Sequence, residues 1–97
     1  MSKAENKIAL ITGATSGIGK AFAYRFADLG YNLVITGRRE DIISSIAKEI
    51  STEYGVSVEV LIVELSNQLD LTRLVQKVKS ISNLKVLVNN AVLRWNG

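Results

Sequence analysis

Residues 7–19 read KIALITGATSGIG, an apolar run followed at once by closely spaced glycines. The run predicts a short buried strand, and the apolar periodicity after it predicts a helix that opens at Gly17. Gly13 allows a sharp turn off the strand, Gly17 lets the backbone approach a pyrophosphate, and Gly19 lets the helix pack closely on a sheet. The N–H groups of the first helical turn then point at the phosphates. The stretch therefore predicts a phosphate-binding turn, with a ligand-free strand-to-helix turn as the alternative.

Strand and helix patterns alternate along the rest of the chain. Strands are predicted over 7–11, 32–36, 57–65 and 85–89, and helices over 17–29, 40–54 and 70–81. The strands are continuously apolar, which is typical of a parallel sheet that is covered on both faces. This alternation predicts an α/β fold of the Rossmann type, with a four-stranded parallel sheet in the order 3-2-1-4 and a single domain over residues 1–97. The first two helices should cover one face and the third helix the other.

Each predicted helix carries an apolar stripe that should face the sheet. For the first helix the stripe consists of Ile18, Ala21, Phe22, Ala23, Phe26 and Leu29. For the second helix it consists of Ile42, Ile43, Ile46, Ala47 and Ile50. For the third helix it consists of Leu71, Leu74, Val75, Val78 and Ile81. Gly30 and Gly55 are predicted to end the first and second helices.

Composition excludes several classes of function. The sequence contains neither Cys nor His, which removes disulfides and the commonest metal ligands, so no metal site is predicted. The net charge of +3 comes from scattered Lys and Arg, which gives no reason to expect a nucleic-acid partner. No apolar run approaches the roughly 20 residues that span a bilayer, and no signal peptide is recognisable. A cytoplasmic protein without a membrane partner is the prediction.

The end of the second predicted strand indicates which dinucleotide the turn would bind. About 20 residues after the glycines, an NAD site usually places a carboxylate on the ribose 2′-hydroxyl. Here the sequence reads Thr36-Gly37-Arg38-Arg39-Glu40, with two guanidinium groups instead. Guanidinium groups suit a 2′-phosphate, so NADP(H) is favoured over NAD(H). The alternative is that both arginines simply begin a solvated helix.

Four motifs together resemble the short-chain dehydrogenase/reductase family. They are the Thr12-Gly-x-x-x-Gly-Ile-Gly19 turn, Gly37-Arg38, the Glu64-Leu65 pair and Val88-Asn89-Asn90-Ala91. The resemblance covers residues 7–91 and implies a Rossmann fold and an NAD(P)-dependent oxidoreductase that acts on alcohols and carbonyls.

The resemblance also implies roles for individual residues. The pyrophosphate and the adjoining ribose would be bound by Gly13, Thr15, Ser16, Gly17, Ile18 and Gly19. Arg38, with Arg39 beside it, would meet the 2′-phosphate. Glu64 and Leu65 would flank the adenine, and Asn90 and Ala91 would lie along the ribose on the nicotinamide side. The sequence departs from the family at Ser16, where many NADP-using members have a basic residue, at Glu64, where Asp is usual, and at Val92, where Gly is usual.

The family's catalytic Ser and Tyr-x-x-x-Lys are not found in these residues. Tyr24, Tyr31 and Tyr54 are each followed four positions later by a residue other than Lys. We therefore expect a family domain truncated after its fourth strand, without catalytic residues and inactive alone. The fourth strand would then be an open edge, which predicts a homo-oligomer. The alternatives are a stand-alone nucleotide-binding module and an interaction module without a ligand.

Overall fold

A computed structural model describes residues 7–15 and 17–89. The elements in chain order are β1 (Ile8–Thr12), α1 (Gly17–Asp28), β2 (Asn32–Gly37), α2 (Glu40–Tyr54), β3 (Val58–Ile62), α3 (Gln68–Ser80) and β4 (Leu84–Asn89). The strands form one parallel sheet in the order β3-β2-β1-β4. The predicted α/β class and strand order are therefore confirmed.

Two boundaries differ from the prediction by more than one residue, because the chain turns after β3. The third strand was predicted to reach residue 65 but ends at Ile62, and α3 begins at Gln68 rather than at residue 70. The turn closes through a hydrogen bond from the Asn67 N–H to the Glu64 carbonyl at 2.8 Å. The Asn67 side chain then accepts from the Asp70 N–H at 3.0 Å and begins α3 as its N-cap.

The sheet divides the core into two apolar clusters. On one face, Ala9, Ile11, Leu33 and Ile35 pack with α1 and α2. On the other face, Leu10 and Val34 pack with Leu74 of α3 and with Val63. Successive strand residues point to opposite faces, so β1 and β2 contribute to both clusters. The predicted division of the helices between the faces is confirmed.

The prediction for the inward face of α1 was largely wrong. The buried residues are Gly19, Ala23 and Ala27, whereas Ile18, Phe22 and Leu29 are 66%, 39% and 55% exposed. Ala21 is also exposed, and of the two phenylalanines only Phe26 packs on the core. Small side chains allow the helix axis to come close to the sheet, which leaves the larger apolar residues on the flanks.

The stripe of α2 is confirmed, whereas that of α3 is confirmed only in part. Ile43, Ile46, Ala47 and Ile50 are buried, and Ile42 packs against them. In α3 only Leu74 is buried, Val78 and Ile81 are partly buried, and Leu71 and Val75 are 37% and 45% exposed. Within the described residues α3 is the one helix on its face of the sheet, so its outer flank has no neighbour there.

Both predicted glycine caps are confirmed. Gly55 follows α2 with φ of 69°, and its N–H donates to the Ser51 carbonyl at 2.9 Å. Gly30 follows α1 with φ of 91°. Among the described residues, no helix combines the length and the apolar character that crossing a membrane requires.

Candidate functional site

The glycine turn lies at the carboxyl end of β1. Gly13 and Gly17 have φ of 64° and 58°, a region that side chains rarely adopt. The Ala14 N–H donates to the Thr36 carbonyl at 3.1 Å, which holds the turn against the end of β2. Space above Gly17 is open, since an added Cβ would meet no atom within 4 Å. The first turn of α1 carries no acidic residue, so this helix end suits an anion.

Two further predicted residues of the turn differ in their exposure. Ile18 is largely exposed beside the open space at Gly17, which leaves its side chain free to contact a bound molecule. Gly19 is buried on the inward side of α1, and its role in close packing on the sheet stays a prediction.

Gly37 joins the glycine turn to the second strand and was not predicted as a site residue. A Cβ placed on it would lie 3.0 Å from Thr15 Cγ2 and 3.1 Å from Ile43 Cδ1. The absence of a side chain at the end of β2 therefore lets Thr15 sit against that strand. The available signal was a lone glycine at a strand end, which often marks a close approach of another part of the chain.

Arg38 and Glu64 come together at the ends of β2 and β3. Arg38 Nη1 donates to Glu64 Oε1 at 3.2 Å, and both side chains reach solvent. Arg39 lies beside them, with its Nε 3.9 Å from Asp41 Oδ1. The sequence predicted a role for each of Arg38, Arg39 and Glu64 but not the contact between Arg38 and Glu64.

Ser66 fixes the carboxylate of Glu64 and was missed by the sequence reasoning. Its hydroxyl donates to Glu64 Oε2 at 2.8 Å and its N–H donates to the same oxygen at 3.3 Å. These hydrogen bonds, together with the Arg38 guanidinium, lower the pKa of Glu64 below its ordinary value. The signal was the spacing of two residues, at which acidic side chains commonly accept from the backbone.

The backbone around Glu64 is held as firmly as its side chain. The Glu64 N–H donates to Asp70 Oδ2 at 2.9 Å, and Asp70 Oδ1 accepts from Arg73 at 3.0 Å. Leu65 packs on the core cluster below α3 and lines an apolar groove. The side chains of the predicted Glu64-Leu65 pair therefore point to different places. Glu64 contacts Arg38, and Leu65 lines the groove.

The apolar groove runs between α3 and the β1–β4 half of the sheet. Its volume is about 440 Å³. Its lining residues are Leu10, Thr12, Leu65, Leu71, Leu74, Val75, Val78, Lys79, Leu87 and Asn89. The Thr12 hydroxyl donates to Asn89 Oδ1 at 3.0 Å and ties the ends of β1 and β4 together.

The three tyrosines, none of which is followed four positions later by Lys, have packing roles. The rings of Tyr24 and Tyr54 meet edge to face at 6.2 Å, and the Tyr31 ring packs against that of Phe26. Burial and a hydrogen bond to Glu49 raise the pKa of Tyr24 to about 12. A proton donor for catalysis near neutral pH needs the opposite shift.

Three predicted site residues, Ser16, Asn90 and Ala91, lie outside the described residues, as does Val92. Within residues 7–15 and 17–89, no group of acidic side chains is arranged to hold a metal ion.

A parallel sheet in the order 3-2-1-4 with a glycine turn after its first strand is the arrangement of the Rossmann class of α/β proteins. The comparison with known proteins is more specific. The family profile described as short chain dehydrogenase matches residues 7–97, and the chain belongs to that family.

Individual relatives agree with this assignment. Sulfoacetaldehyde reductase 2 of Chromohalobacter salexigens is 41% identical over 87 residues, which make up 89% of this chain and 34% of that protein. The NADP-dependent 3-hydroxy acid dehydrogenase of Schizosaccharomyces pombe is 37% identical over 95 residues, or 96% of this chain and 37% of that protein. A short-chain dehydrogenase from Sphingobium yanoikuyae in complex with NADPH matches with a TM-score of 0.88 and 35% identity, over 94% of this chain and 36% of that one. The chain thus spans little more than a third of the length of these relatives.

Proposed function

We propose that this chain binds NADP(H) and forms the cofactor-binding part of an oxidoreductase that acts on an alcohol or carbonyl substrate. The observation that carries the proposal is the pair of exposed guanidinium groups, Arg38 and Arg39, directly after β2. An NAD site usually has a carboxylate at that strand end. The NADPH complex of the Sphingobium relative and the NADP dependence of the yeast relative support the same cofactor.

The proposed contacts follow the carboxyl edge of the sheet. The pyrophosphate would lie on the turn between Gly13 and Gly17, where α1 begins and a Cβ added to Gly17 would meet no atom within 4 Å. Arg38 would bind the 2′-phosphate, and the polypeptide around Glu64 would flank the adenine. Ser16, Asn90 and Ala91 stay predictions from the sequence.

We propose further that these residues bind and orient the cofactor rather than transfer the proton. When bound, the nicotinamide would supply or accept the hydride. Proton transfer to the substrate oxygen needs a positioned acid, and in this sequence no Tyr is followed four positions later by Lys.

Calorimetric titration of the 97-residue chain with NADP⁺ and with NAD⁺ tests this function. Arg38→Ala should weaken NADP⁺ binding by about 10- to 100-fold, because a charged hydrogen bond to phosphate contributes roughly 1.5–3 kcal/mol. Arg25→Ala is the matched control, since Arg25 is exposed near the end of α1 and pairs only with Asp28 among the contacts the structure records for it. Equal loss in both variants, or no loss in either, would contradict the assignment of the 2′-phosphate to Arg38. A folded chain that binds neither nucleotide would favour an interaction module.

We also propose self-association through β4. This strand is at the edge of the described sheet, and its Leu87 is 55% exposed beside the apolar groove. An open strand edge next to apolar surface favours pairing with another copy. Sedimentation of the wild-type chain should show dimers or larger species, and Leu87→Lys should reduce them. A monomer at high concentration would contradict the proposal. The cytoplasmic location and the single-domain organisation stay predictions from the sequence.

A further inference from the structure

Both arginines of the proposed 2′-phosphate site already have a carboxylate partner. Arg38 makes a hydrogen bond of 3.2 Å to Glu64, whereas the separation between Arg39 and Asp41 is 3.9 Å, beyond hydrogen-bond distance. The Arg38 contact joins two loops that follow different strands. A counter-ion therefore occupies the guanidinium on which the proposed cofactor preference depends.

The carboxylate of Glu64 is the fixed member of this pair. Its second oxygen accepts from both the hydroxyl and the N–H of Ser66, and its own N–H is held by Asp70. The Arg38 side chain is 73% exposed, and Glu64 is the one side-chain partner that the structure records for it. The Glu64 carboxylate therefore orients the Arg38 side chain. If Arg38 moves to bind a phosphate, the negative charge of Glu64 remains beside it.

We infer that Glu64 is a specificity-determining residue whose carboxylate competes with the 2′-phosphate for Arg38 and so reduces the preference for NADP(H) over NAD(H). The inference rests on the proposed function, because it requires the 2′-phosphate to meet Arg38. A phosphate monoester carries a charge of about −1.5 to −2 near neutral pH. A phosphate that shares the guanidinium with Glu64 would lie roughly 6–8 Å from the carboxylate, where Coulomb repulsion in water corresponds to about a three- to tenfold loss of affinity.

NAD(H) lacks the 2′-phosphate and does not experience this repulsion. Contacts between Glu64 and the adenosine are common to both cofactors, so they cancel in the ratio of the two affinities. That ratio, rather than either affinity alone, isolates the effect of the carboxylate on the 2′-phosphate.

The experiment is a titration of the 97-residue chain and of its Glu64→Gln variant with NADP⁺ and with NAD⁺. Glutamine keeps the length of the side chain and one of its two acceptor oxygens, so the variant removes the charge and can accept either from Arg38 or from Ser66. Glu59→Gln is the matched control. Glu59 lies in β3, forms an ion pair with Lys77 at 2.7 Å, and is not among the residues proposed to contact the cofactor. Arg38→Ala is titrated in parallel.

We expect the NADP⁺ to NAD⁺ affinity ratio to rise about three- to tenfold in Glu64→Gln and to stay constant in Glu59→Gln. A ratio that is unchanged or lower in Glu64→Gln, while Arg38→Ala still loses NADP⁺, overturns this inference and leaves the proposed function standing. Equal rises in both glutamine variants also overturn it, since the effect would then be one of net charge. A wild-type chain that binds neither nucleotide, or an Arg38→Ala variant that binds NADP⁺ normally, overturns the proposed function and this inference with it.

Discussion

Replacing Gly37 with alanine adds a methyl group close to two methyl groups of neighbouring side chains. The new carbon would lie 3.0 Å from Thr15 Cγ2 and 3.1 Å from Ile43 Cδ1. Favourable carbon–carbon contacts are about 3.5–4.0 Å, so both neighbours must move. Ile43 is fully buried, and Thr15 is partly buried in the glycine turn.

The magnitude follows from two opposing effects. Overpacking a well-packed core costs about 1–3 kcal/mol. Alanine also restricts the unfolded chain, which stabilises the protein by about 0.4–1 kcal/mol where the backbone conformation suits it. The backbone of Gly37 lies outside the left-handed region, so that gain applies. We expect Gly37→Ala to lower the free energy of unfolding by about 1 kcal/mol.

Double-mutant cycles identify the responsible atoms. Ile43→Val deletes Cδ1 and Thr15→Ser deletes Cγ2, the two atoms that the new methyl group would meet. Alone, Ile43→Val should cost about 0.5–1.5 kcal/mol. Combined with Gly37→Ala it should cost distinctly less, because the new methyl group fills the space that Cδ1 leaves. Thr15→Ser should relieve the other contact in the same way.

The assay is urea denaturation followed by circular dichroism for the wild type, the singles and the two doubles. Energies that add within about 0.3–0.5 kcal/mol in both cycles would refute the steric argument. A Gly37→Ala variant at least as stable as the wild type would refute it too. Such a result would mean that the glycine turn rearranges around the added methyl group without lowering the free energy of unfolding.

Three other changes have definite expected results. Asn67→Ala removes the acceptor of the Asp70 N–H at the start of α3 and should lower the free energy of unfolding by about 1 kcal/mol in thermal melts. Gly55→Ala puts a Cβ on a residue with φ of 69° and should cost about 1–2 kcal/mol in the same melts. The raised pKa of Tyr24, from 10.0 to about 12, contributes stability that is complete below pH 10 and is lost as the pH rises through 12. Tyr24→Phe should therefore lose less stability than the wild type between pH 10 and pH 12 in denaturant titrations, and an equal loss would contradict the shift.

The sheet was predictable because each strand can be recognised from its own short stretch of sequence. Apolar runs occur at regular intervals, and the first three are each followed by an amphipathic helix. This pattern leaves few arrangements other than a parallel sheet with right-handed crossover connections. The face of α2 was predictable for a related reason, since Ile43, Ile46 and Ile50 are large apolar residues at helical spacing and all three are buried. The glycine turn was predictable from its position between strand and helix.

The inward face of α1 was not predictable from residue size. Ala23 and Ala27 are buried and Ile18 and Leu29 are exposed, because the distance between helix and sheet decides which side chains fit. That distance depends on the sheet as well as on the helix. The contact between Arg38 and Glu64 could not be predicted from the sequence either. It depends on how two loops whose residues are 26 positions apart meet at the edge of the sheet.

The central position of β1 has a consequence for the order of events during synthesis. Thr12, at the end of β1, lies 77 residues before Asn89 of β4, to which its hydroxyl is bonded. At translation rates of about 5–20 residues per second, roughly 4–15 s pass between the two. β1 can pair with β2 early, but its other side stays open until β4 emerges. A chaperone or another nascent chain can compete with β4 for that side of β1 during those seconds, so the yield of native protein depends on how fast β4 arrives.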